Sequence, residues 1–479
     1  MQHEGHLRKT VCVIGGGLTG LTAAYQLADQ GYKVILLESS LQLGGMVASV
    51  SWGKQPVEYI YHHLFTSDTY FLELCRKLKI EDKITWHQTK DAIYTRKSMY
   101  PFSGPADLLR YRPLPLAARI RTGLAVLKAG RLNNWQSLEK LTARAWLISQ
   151  AGQDSYQKLW QPLLQSKFDQ DENTVSAVWI WNKFKLRGHS RKNKVSASRL
   201  GYMRGGFTVL IDALKNQIET LGGTIHKGRT AVGIRYHQDR DQMIFSQVSD
   251  ASQQASAAGF VRNEGVSPKK GYIVSAIHDD GMLSEYEVDG VITTVSARQF
   301  ANMATSLNLP DDYLKKAQSV RYKADLCLIL HLRHSLSPFY WTTICDRLPF
   351  VVVVEHTRLT GTKPYDGVIV YVSRYLDVTD PLWSMSDGSI YQVFTKSLKQ
   401  VYPHFSLSDV IHWRLCRTHY AQPVIDCAYS DKMPTMDTPS PGVKLAGMAQ
   451  IYPEDRGMNY AIRLAGQAVA SIKTYLEKD

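Results

Sequence analysis

Between Thr10 and Glu38 lies the pattern that most restricts what this chain can fold into: a strand, a glycine-punctuated turn, a helix, and a second strand ending in an acid. Thr10–Ile14 (TVCVI) is the strand. Gly15-Gly16-Gly17-Leu18-Thr19-Gly20 follows at once and satisfies G-x-G-x-x-G at Gly15, Gly17 and Gly20. Leu21, Ala24, Tyr25 and Ala28 then recur at helical spacing, Gly31 ends the helix, and Lys33–Leu37 leads to Glu38. Each glycine has its own steric task. Gly15 makes the tight turn, Gly17 lets a pyrophosphate approach the backbone, and Gly20 lets helix and strand pack closely. The helix start at Leu18 and Thr19 offers free N–H groups and a positive dipole end to the phosphates. Glu38 is placed to accept from an adenosine ribose, and its charge repels a 2′-phosphate, which disfavours NADP. A lone glycine motif is weak, but these parts in this order predict a dinucleotide site on a doubly wound α/β sheet.

The residues after Glu38 choose among dinucleotides. Glu38–Ser49 reads ESSLQLGGMVAS, with a diglycine at Gly44-Gly45. This resembles the extended fingerprint of the flavin amine oxidase superfamily, which includes monoamine oxidases, protoporphyrinogen oxidases, phytoene desaturases and UDP-galactopyranose mutases. The resemblance implies FAD, with Glu38 and Ser39 at the ribose end and Gly44, Gly45 and Met46 beside the flavin pyrophosphate and ribityl. Near the far end, Val443–Gly447 (VKLAG) reads as a strand, Met448–Asn459 as MAQIYPEDRGMN, and Ala461, Leu464, Ala465, Ala468, Val469 and Ile472 as one helix face. That is similar to the superfamily's second FAD signature, in which a helix N-terminus meets the flavin pyrimidine edge and its dipole stabilises anionic reduced flavin. By resemblance Gly447, Met448, Gly457, Met458 and Asn459 approach the cofactor. The acid that usually follows the strand's glycine is Met448 here, so Glu454 or Asp455 is the candidate for the ribityl chain.

The middle of the chain predicts an interleaved architecture. Gly201–Gly206, a helix over Phe207–Leu221 and a strand over Ile225–Arg235 resemble the superfamily's return to the FAD domain, where the backbone near Val232 faces adenine. Tyr272–Ile277 and Met282–Val295 read as a hairpin turning at His278-Asp279-Asp280-Gly281, with Gly290–Val295 as a last strand approaching the cofactor. The expected Rossmann-type FAD domain is built from 1–75, 205–300 and 426–479, with 237–270 a polar inserted loop. It alternates with an α+β substrate domain from 76–204 and 301–425. The first part reads as a tryptophan-rich helical cover, and the second as a sheet floor over Leu326–Leu332, Phe350–His356 and Val368–Tyr375.

Composition narrows the remaining classes. At 479 residues two domains are the default, and 44% hydrophobic with 21% charged residues excludes wholesale disorder. Six dispersed cysteines offer neither a C-x-x-C pair nor metal spacing, so reduced thiols and no metal site are expected. The polar N-terminus runs straight into the first strand, and no apolar run approaches the ~20 residues of a membrane span. A cytoplasmic protein, at most peripheral to a membrane, is the expectation. The net charge of +14 gathers at Arg110–Arg131 and Lys183–Lys194. Such faces suit anionic lipid, an acidic substrate or plain solvation. No nucleic-acid-binding module accompanies them. Pro113 and Pro115 count against one continuous helix in the first of these segments.

Flavin carries hydride chemistry itself, so the protein need only hold the substrate, tune the ring and move a proton. His62 and His63, after the diglycine loop, are candidates for proton handling, with loop packing the alternative. Tyr452 is a candidate to flank the ring, and Lys167 and Arg187 to bind an anionic small-molecule substrate. Three functions remain open at this point: oxidation of a C–N or C–C bond, a mutase-like non-redox reaction on a nucleotide sugar, and a flavin-binding scaffold. The oligomeric state is not legible. No Cys or His stands in a recognised flavinylation motif near the C-terminal signature, so the FAD is expected to be non-covalent. Heat or acid should release it into the supernatant; flavin retained on denatured chain contradicts this.

Overall fold

Cys12 and Val13 on the first strand, and Leu36 and Leu37 on the second, point to opposite faces and are at most 1% exposed, so both strands are covered on both faces, as a parallel sheet requires. The computed structural model describes residues 8–52, 55–189, 199–237, 261–262 and 271–478, without the side chains of 186–189 and 261–262. Five parallel strands form the first sheet in the order Thr224–Lys227, Lys33–Glu38, Thr10–Ile14, Gly290–Thr293 and Val443–Leu445. Val13 is level with Leu36 on one side and Ile292 on the other. Helices Leu18–Asp29, Thr208–Thr220 and Met458–Leu476 cover one face. The other face packs on helix Ala297–Met303 and on an antiparallel sheet containing Arg229–Tyr236, Tyr272–His278 and Leu283–Val288.

A second, seven-stranded sheet runs Val410–Pro423, Tyr322–Leu332, Val368–Leu376, Val352–Glu355, Trp341–Ile344, Asp91–Thr95 and Ser98–Pro101. Strand alternation divides its residues. Leu326, Leu328 and Leu330 pack on Ile390, Phe394 and Leu398 of helix Asp387–Val401. Cys327, Ile329 and Tyr371 join the core of the first sheet's helices, which turns the opposite face toward the dinucleotide fold. Helices Leu116–Arg131, Ala143–Ala151, Gln161–Phe168 and Ala177–His189 form a separate aromatic-rich core. Among the described residues no helix is long and apolar enough to cross a membrane.

Several expected elements are divided differently. Ile225–Arg235 is two strands in two sheets, broken at Gly228, whose φ of +64° favours glycine. Met282–Val295 divides at Asp289, which takes the Thr10 N–H on its carboxylate at 2.6 Å and donates its own N–H to the Thr10 carbonyl at 2.8 Å. The chain thereby leaves the antiparallel sheet for the parallel one. The expected helical cover also contains Ile84–Gln88, Asp91–Thr95 and Ser98–Pro101, because Asp91–Thr95 finds its partner in Trp341–Ile344 far along the sequence. The prolines do break the basic segment, into helices Pro105–Arg110 and Leu116–Arg131. Most of the expected 237–270 loop lies outside the described residues, as do Arg191, Lys192 and Lys194.

Glu58 ties the start of helix Thr208–Thr220, on the first sheet, to the second sheet. Its fully buried carboxylate accepts from the Tyr202 hydroxyl at 2.9 and 2.7 Å and from the Phe207 N–H at 2.9 Å. Its own carbonyl accepts from Tyr371 in the second sheet at 3.0 Å. Glu58→Ala strands two buried donors and is expected to cost about 2–5 kcal/mol in urea unfolding. Glu58→Gln retains an acceptor and should cost less. Burial raises the Glu58 pKa, against the lowering effect of its hydrogen bonds. Its stabilisation is thus full below the unfolded-state value and lost as pH rises through the folded-state value. Glu58→Gln should flatten that slope in unfolding measured across the carboxylate range; an unchanged slope counts against this assignment.

Candidate active site

The two glycine runs form one groove. Gly44 donates its N–H to the Gly16 carbonyl at 2.8 Å, laying the diglycine loop against the glycine turn. A Cβ on Gly20 would stand 1.9 Å from the Gly15 carbonyl oxygen, and one on Gly45 would stand 3.1 Å from Gly17 Cα. A Cβ on Gly17 meets only Gly45 Cα, at 3.9 Å. The space beside Gly17 is therefore open where a pyrophosphate needs it. Helix Leu18–Asp29 has no side-chain cap, so its first N–H groups face this groove unspent. Leu18 is buried and offers its backbone alone, while Thr19 is half-buried. Glu38 closes the adenosine end, accepting from Gly16 N–H at 2.6 Å and Ser40 N–H at 2.7 Å, with the Ser39 hydroxyl at 3.3 Å. Oε2, which accepts only from Gly16, has a further lone pair for a ribose hydroxyl. Val232 stands at a register shift between Ala231 and Gly233, out of the ladder and 40% exposed, so its backbone groups are open to a ligand.

The C-terminal signature meets this groove from the opposite edge of the sheet. A Cβ on Gly447 would stand 2.3 Å from the Val295 carbonyl oxygen, so two strand ends converge there. Met448, half-buried, opens a short turn. Glu454 is paired with Arg463 through both oxygens, at 2.8 and 2.6 Å. Asp455 is paired with Lys183 at 2.6 Å and with Gln422 at 3.2 Å. Both acids weighed for the ribityl chain thus already have protein partners. Gly457 is exposed and precedes the 19-residue helix Met458–Leu476, which has no side-chain cap. Met458 is buried, and the Asn459 side-chain carbonyl accepts from Phe71 N–H at 3.1 Å, which leaves the backbone of the first turn open. These features fit FAD: a groove free of Cβ atoms for the pyrophosphate and a bare helix start for the ring edge.

Past Glu58 the chain crosses the inner face of the seven-stranded sheet. Tyr61 meets Trp341 edge-on at 5.1 Å and Tyr371 at 6.0 Å. His62 donates Nδ1–H to the Ile60 carbonyl at 2.7 Å, leaving Nε2 as its acceptor, and His63 Nδ1 stands 3.0 Å from the Tyr340 hydroxyl. Burial pushes His62 down to about 4 and His63 to about 3, so both are neutral at physiological pH. Tyr61, His62, His63, Lys167 and Arg456 lie deep in the protein yet keep accessible surface, so they border a cavity. Lys167 Nζ stands 4.4 Å over the Tyr375 ring. Arg456 donates to the Tyr375 hydroxyl at 2.5 Å and to Gln422 at 2.9 Å. Beneath them Asp325 is 1% exposed, held by Ser373 at 2.6 Å through Oδ1, while Oδ2 has no hydrogen-bond partner among the described residues.

Electrostatics set these groups apart. Burial, with Arg456 and Lys183 nearby, drives Lys167 well below the usual ammonium range. Burial raises Asp325 to about 6. For Asp455 burial works upward, but Lys183, Lys167 and Arg456 outweigh it and hold the carboxylate below its usual range. Tyr452 lies elsewhere: it donates to Glu139 at 2.9 Å and packs on Trp135 and Tyr429 at the helical core. Arg187 falls in helix Ala177–His189, and its side chain lies outside the described residues. Arg456 and Asp325 were missed by sequence reasoning. Arg456 adjoins a singled-out acid, and Asp325 is a lone acid in the otherwise apolar run Ala324–Leu330, a signal that could have been read.

A dinucleotide groove closed by a bare C-terminal helix, above a sheet whose inner face lines a cavity, defines the class as FAD-dependent oxidoreductase. The profile of the flavin-containing amine oxidoreductase family matches residues 18–472, and the chain belongs to that family. FAD is its cofactor. Among curated relatives, the zeta-carotene desaturase of Arabidopsis thaliana is 26% identical over 240 residues, covering 45% of this chain and 42% of that protein. The match thus spans less than half of the relative's length. Cyclohexylamine oxidase from Brevibacterium oxydans IH-35A superposes with a TM-score of 0.66 at 13% identity, over 98% of this chain and 100% of that one. Reduced UDP-galactopyranose mutase does so with a TM-score of 0.69 at 14% identity, over 98% and 96%. These two likenesses are of fold.

Glu38→Ala removes the acceptor of the ribose end and of two loop N–H groups. Losing a charge-assisted hydrogen bond is worth on the order of 1.5–3 kcal/mol. FAD affinity should fall tenfold or more in absorbance titration of the apoprotein, and unchanged affinity would show that Glu38 does not carry the ribose.

Proposed function

We propose that this protein removes two hydrogens from a C–C or C–N bond of a small-molecule substrate bearing an anionic group. When bound, FAD supplies the hydride acceptor. The groove of Gly15, Gly17, Gly20, Gly44 and Gly45 holds the pyrophosphate, with the Leu18 and Thr19 N–H groups facing it. Glu38 and Ser39 take the ribose, the Val232 backbone takes the adenine, and Met46, Gly457, Met458 and Asn459 border the flavin.

The observation that carries the substrate reading is the cavity wall. Lys167, Lys183 and Arg456 stand against Asp455 and Asp325, and among the described residues Lys167 has no ion-pair or hydrogen-bond partner beyond its contact with the Tyr375 ring. A cation held below its usual pKa by burial and by neighbouring cations regains its charge when an anion binds. Lys167 and Arg456 therefore receive the anionic group, and Asp325, without accessible oxygen atoms of its own, keeps them in place electrostatically. The desaturase relatives favour a C–C bond. The same cations suit the diphosphate of a nucleotide sugar, so a mutase-like reaction is the second reading.

Anaerobic mixing of the FAD-loaded protein with amines, polyene lipids, carboxylated amphiphiles and nucleotide sugars separates the two. Bleaching of the flavin by one of the first three classes supports oxidation. Turnover of a nucleotide sugar with reduced flavin and no net redox change replaces it. With the substrate that bleaches the flavin, Lys167→Ala should raise KM tenfold or more and change kcat less. Because the Lys167 pKa is lowered, anion binding should weaken as pH rises through it, and Lys167→Arg should abolish that limb while keeping KM near wild type. An unchanged KM in Lys167→Ala removes Lys167 from substrate binding.

A further inference from the structure

Helix Leu116–Arg131 is packed inside out. Its buried side chains are the small Thr122, Ala125 and Ala129, while Leu116, Ile120, Leu124 and Leu127 are 61%, 49%, 61% and 65% exposed. At about 100° per residue those four fall within roughly 80° of one another, one stripe along the outer surface. Leu109, 52% exposed, lies just before it on helix Pro105–Arg110, joined through Arg119, which donates to the Leu109 and Leu114 carbonyls at 2.7 Å each. Single exposed leucines are ordinary, but a continuous apolar ridge on one helix marks an interaction surface.

The charges around the ridge say what covers it. From Leu108 to Leu138 the chain has no Asp or Glu, and it carries six Arg and Lys residues. By the same helical periodicity Arg121 and Lys128 border one flank of the stripe, Arg119 the other, and Arg131 its end. Arg119 and Arg121 spend their hydrogen bonds on backbone carbonyls, so these contacts leave both charges uncompensated. A convex apolar ridge with a basic border is complementary to an anionic, fluid interface. The inner side of the helix is rigidly seated, since the Trp181 indole N–H donates to the Ala129 and Leu132 carbonyls at 3.1 and 3.2 Å.

We infer that this face docks on the surface of an anionic lipid bilayer. Leu116, Ile120, Leu124 and Leu127 enter the acyl boundary, while the basic side chains stay at headgroup level. Helix Ala177–His189, packed directly beneath, reaches the cavity through Lys183 on Asp455 and through Asn182, which donates to the Pro453 carbonyl at 3.3 Å. Docking therefore leaves two helix layers, on the order of 20 Å, between the lipid and the cavity.

The test is cosedimentation of the full-length, FAD-loaded protein with phosphatidylcholine vesicles and with vesicles containing phosphatidylserine. The protein should pellet with the anionic vesicles at low salt and stay in the supernatant with the neutral ones. Raising salt from about 0.1 to 1 M shortens the screening length from about 10 to 3 Å and should release most of it. Ile120→Asp/Leu124→Asp should lower the partition coefficient tenfold or more, with FAD content and circular dichroism unchanged. Lys128→Glu/Arg131→Glu should weaken binding to a similar degree without touching the stripe. Equal recovery in the supernatant with both vesicle types at low salt overturns the inference, as does binding indifferent to Ile120→Asp/Leu124→Asp. A dimer that dissociates on that substitution, with no vesicle binding, reassigns the face to a second copy of the chain.

Discussion

The closest approach of backbone to backbone in the dinucleotide fold governs what the rest of the chain can present. Gly44 lies against Gly16, Gly45 against Gly17, and Gly20 against Gly15, at separations that admit no Cβ at Gly20 and little room for one at Gly45. That contact fixes the start of helix Leu18–Asp29, sets the Glu38 carboxylate across the Gly16 N–H, and sends the chain on through Met46 toward Glu58. Glu58 then joins this fold, through its carboxylate on Tyr202 and Phe207, to Tyr371 of the second sheet through its carbonyl. A few ångströms at the glycines thus decide where Tyr61, His62 and His63 meet the inner face of the seven-stranded sheet.

That inner face combines two kinds of energetics. Its Cys327, Ile329 and Tyr371 are buried as core. Around Tyr375, by contrast, are two lysines, an arginine and two carboxylates whose removal from water is costly unless they are paired. Asp455 is satisfied by Lys183 and Gln422, whereas among the described residues Lys167 has an aromatic ring and Asp325 Oδ2 has no hydrogen-bond partner. Stability alone does not explain an unsatisfied lysine and carboxylate so near each other. Groups perturbed in this way gather where ligands bind.

Much of the dinucleotide half was legible because its signals are local: Thr10 to Glu38 contains strand, turn, helix and acid within one unbroken run. The C-terminal strand and helix were legible for the same reason. Strands Asp91–Thr95 and Ser98–Pro101 were not, since they are short and their pairing with Trp341–Ile344 is purely tertiary. His62 and His63 could be found from their place after the diglycine, but their neutrality is a product of burial that no local pattern encodes. The basic run at Arg110–Arg131 was visible as composition. Which of its residues face inward depends on the elements packed beneath it, where Thr122 meets Ser155 and the small Ala125 and Ala129 are buried. Lys167 was singled out for its charge alone, and its perch over Tyr375 emerged from packing.

The order of strands in the parallel sheet also bears on how the chain becomes a protein. Thr10–Ile14 leaves the ribosome before the other four strands of its sheet, and its neighbour Gly290–Thr293 and the edge strand Val443–Leu445 are made much later, the last some 430 residues on. At about 5–20 residues per second that interval is tens of seconds, during which an apolar strand and the turn behind it have only part of their sheet. Pairing at such sequence separation is slow, and unpaired strand edges invite association with other chains. The order of the strands therefore leaves the nascent chain with open sheet edges through most of the synthesis of these 430 residues.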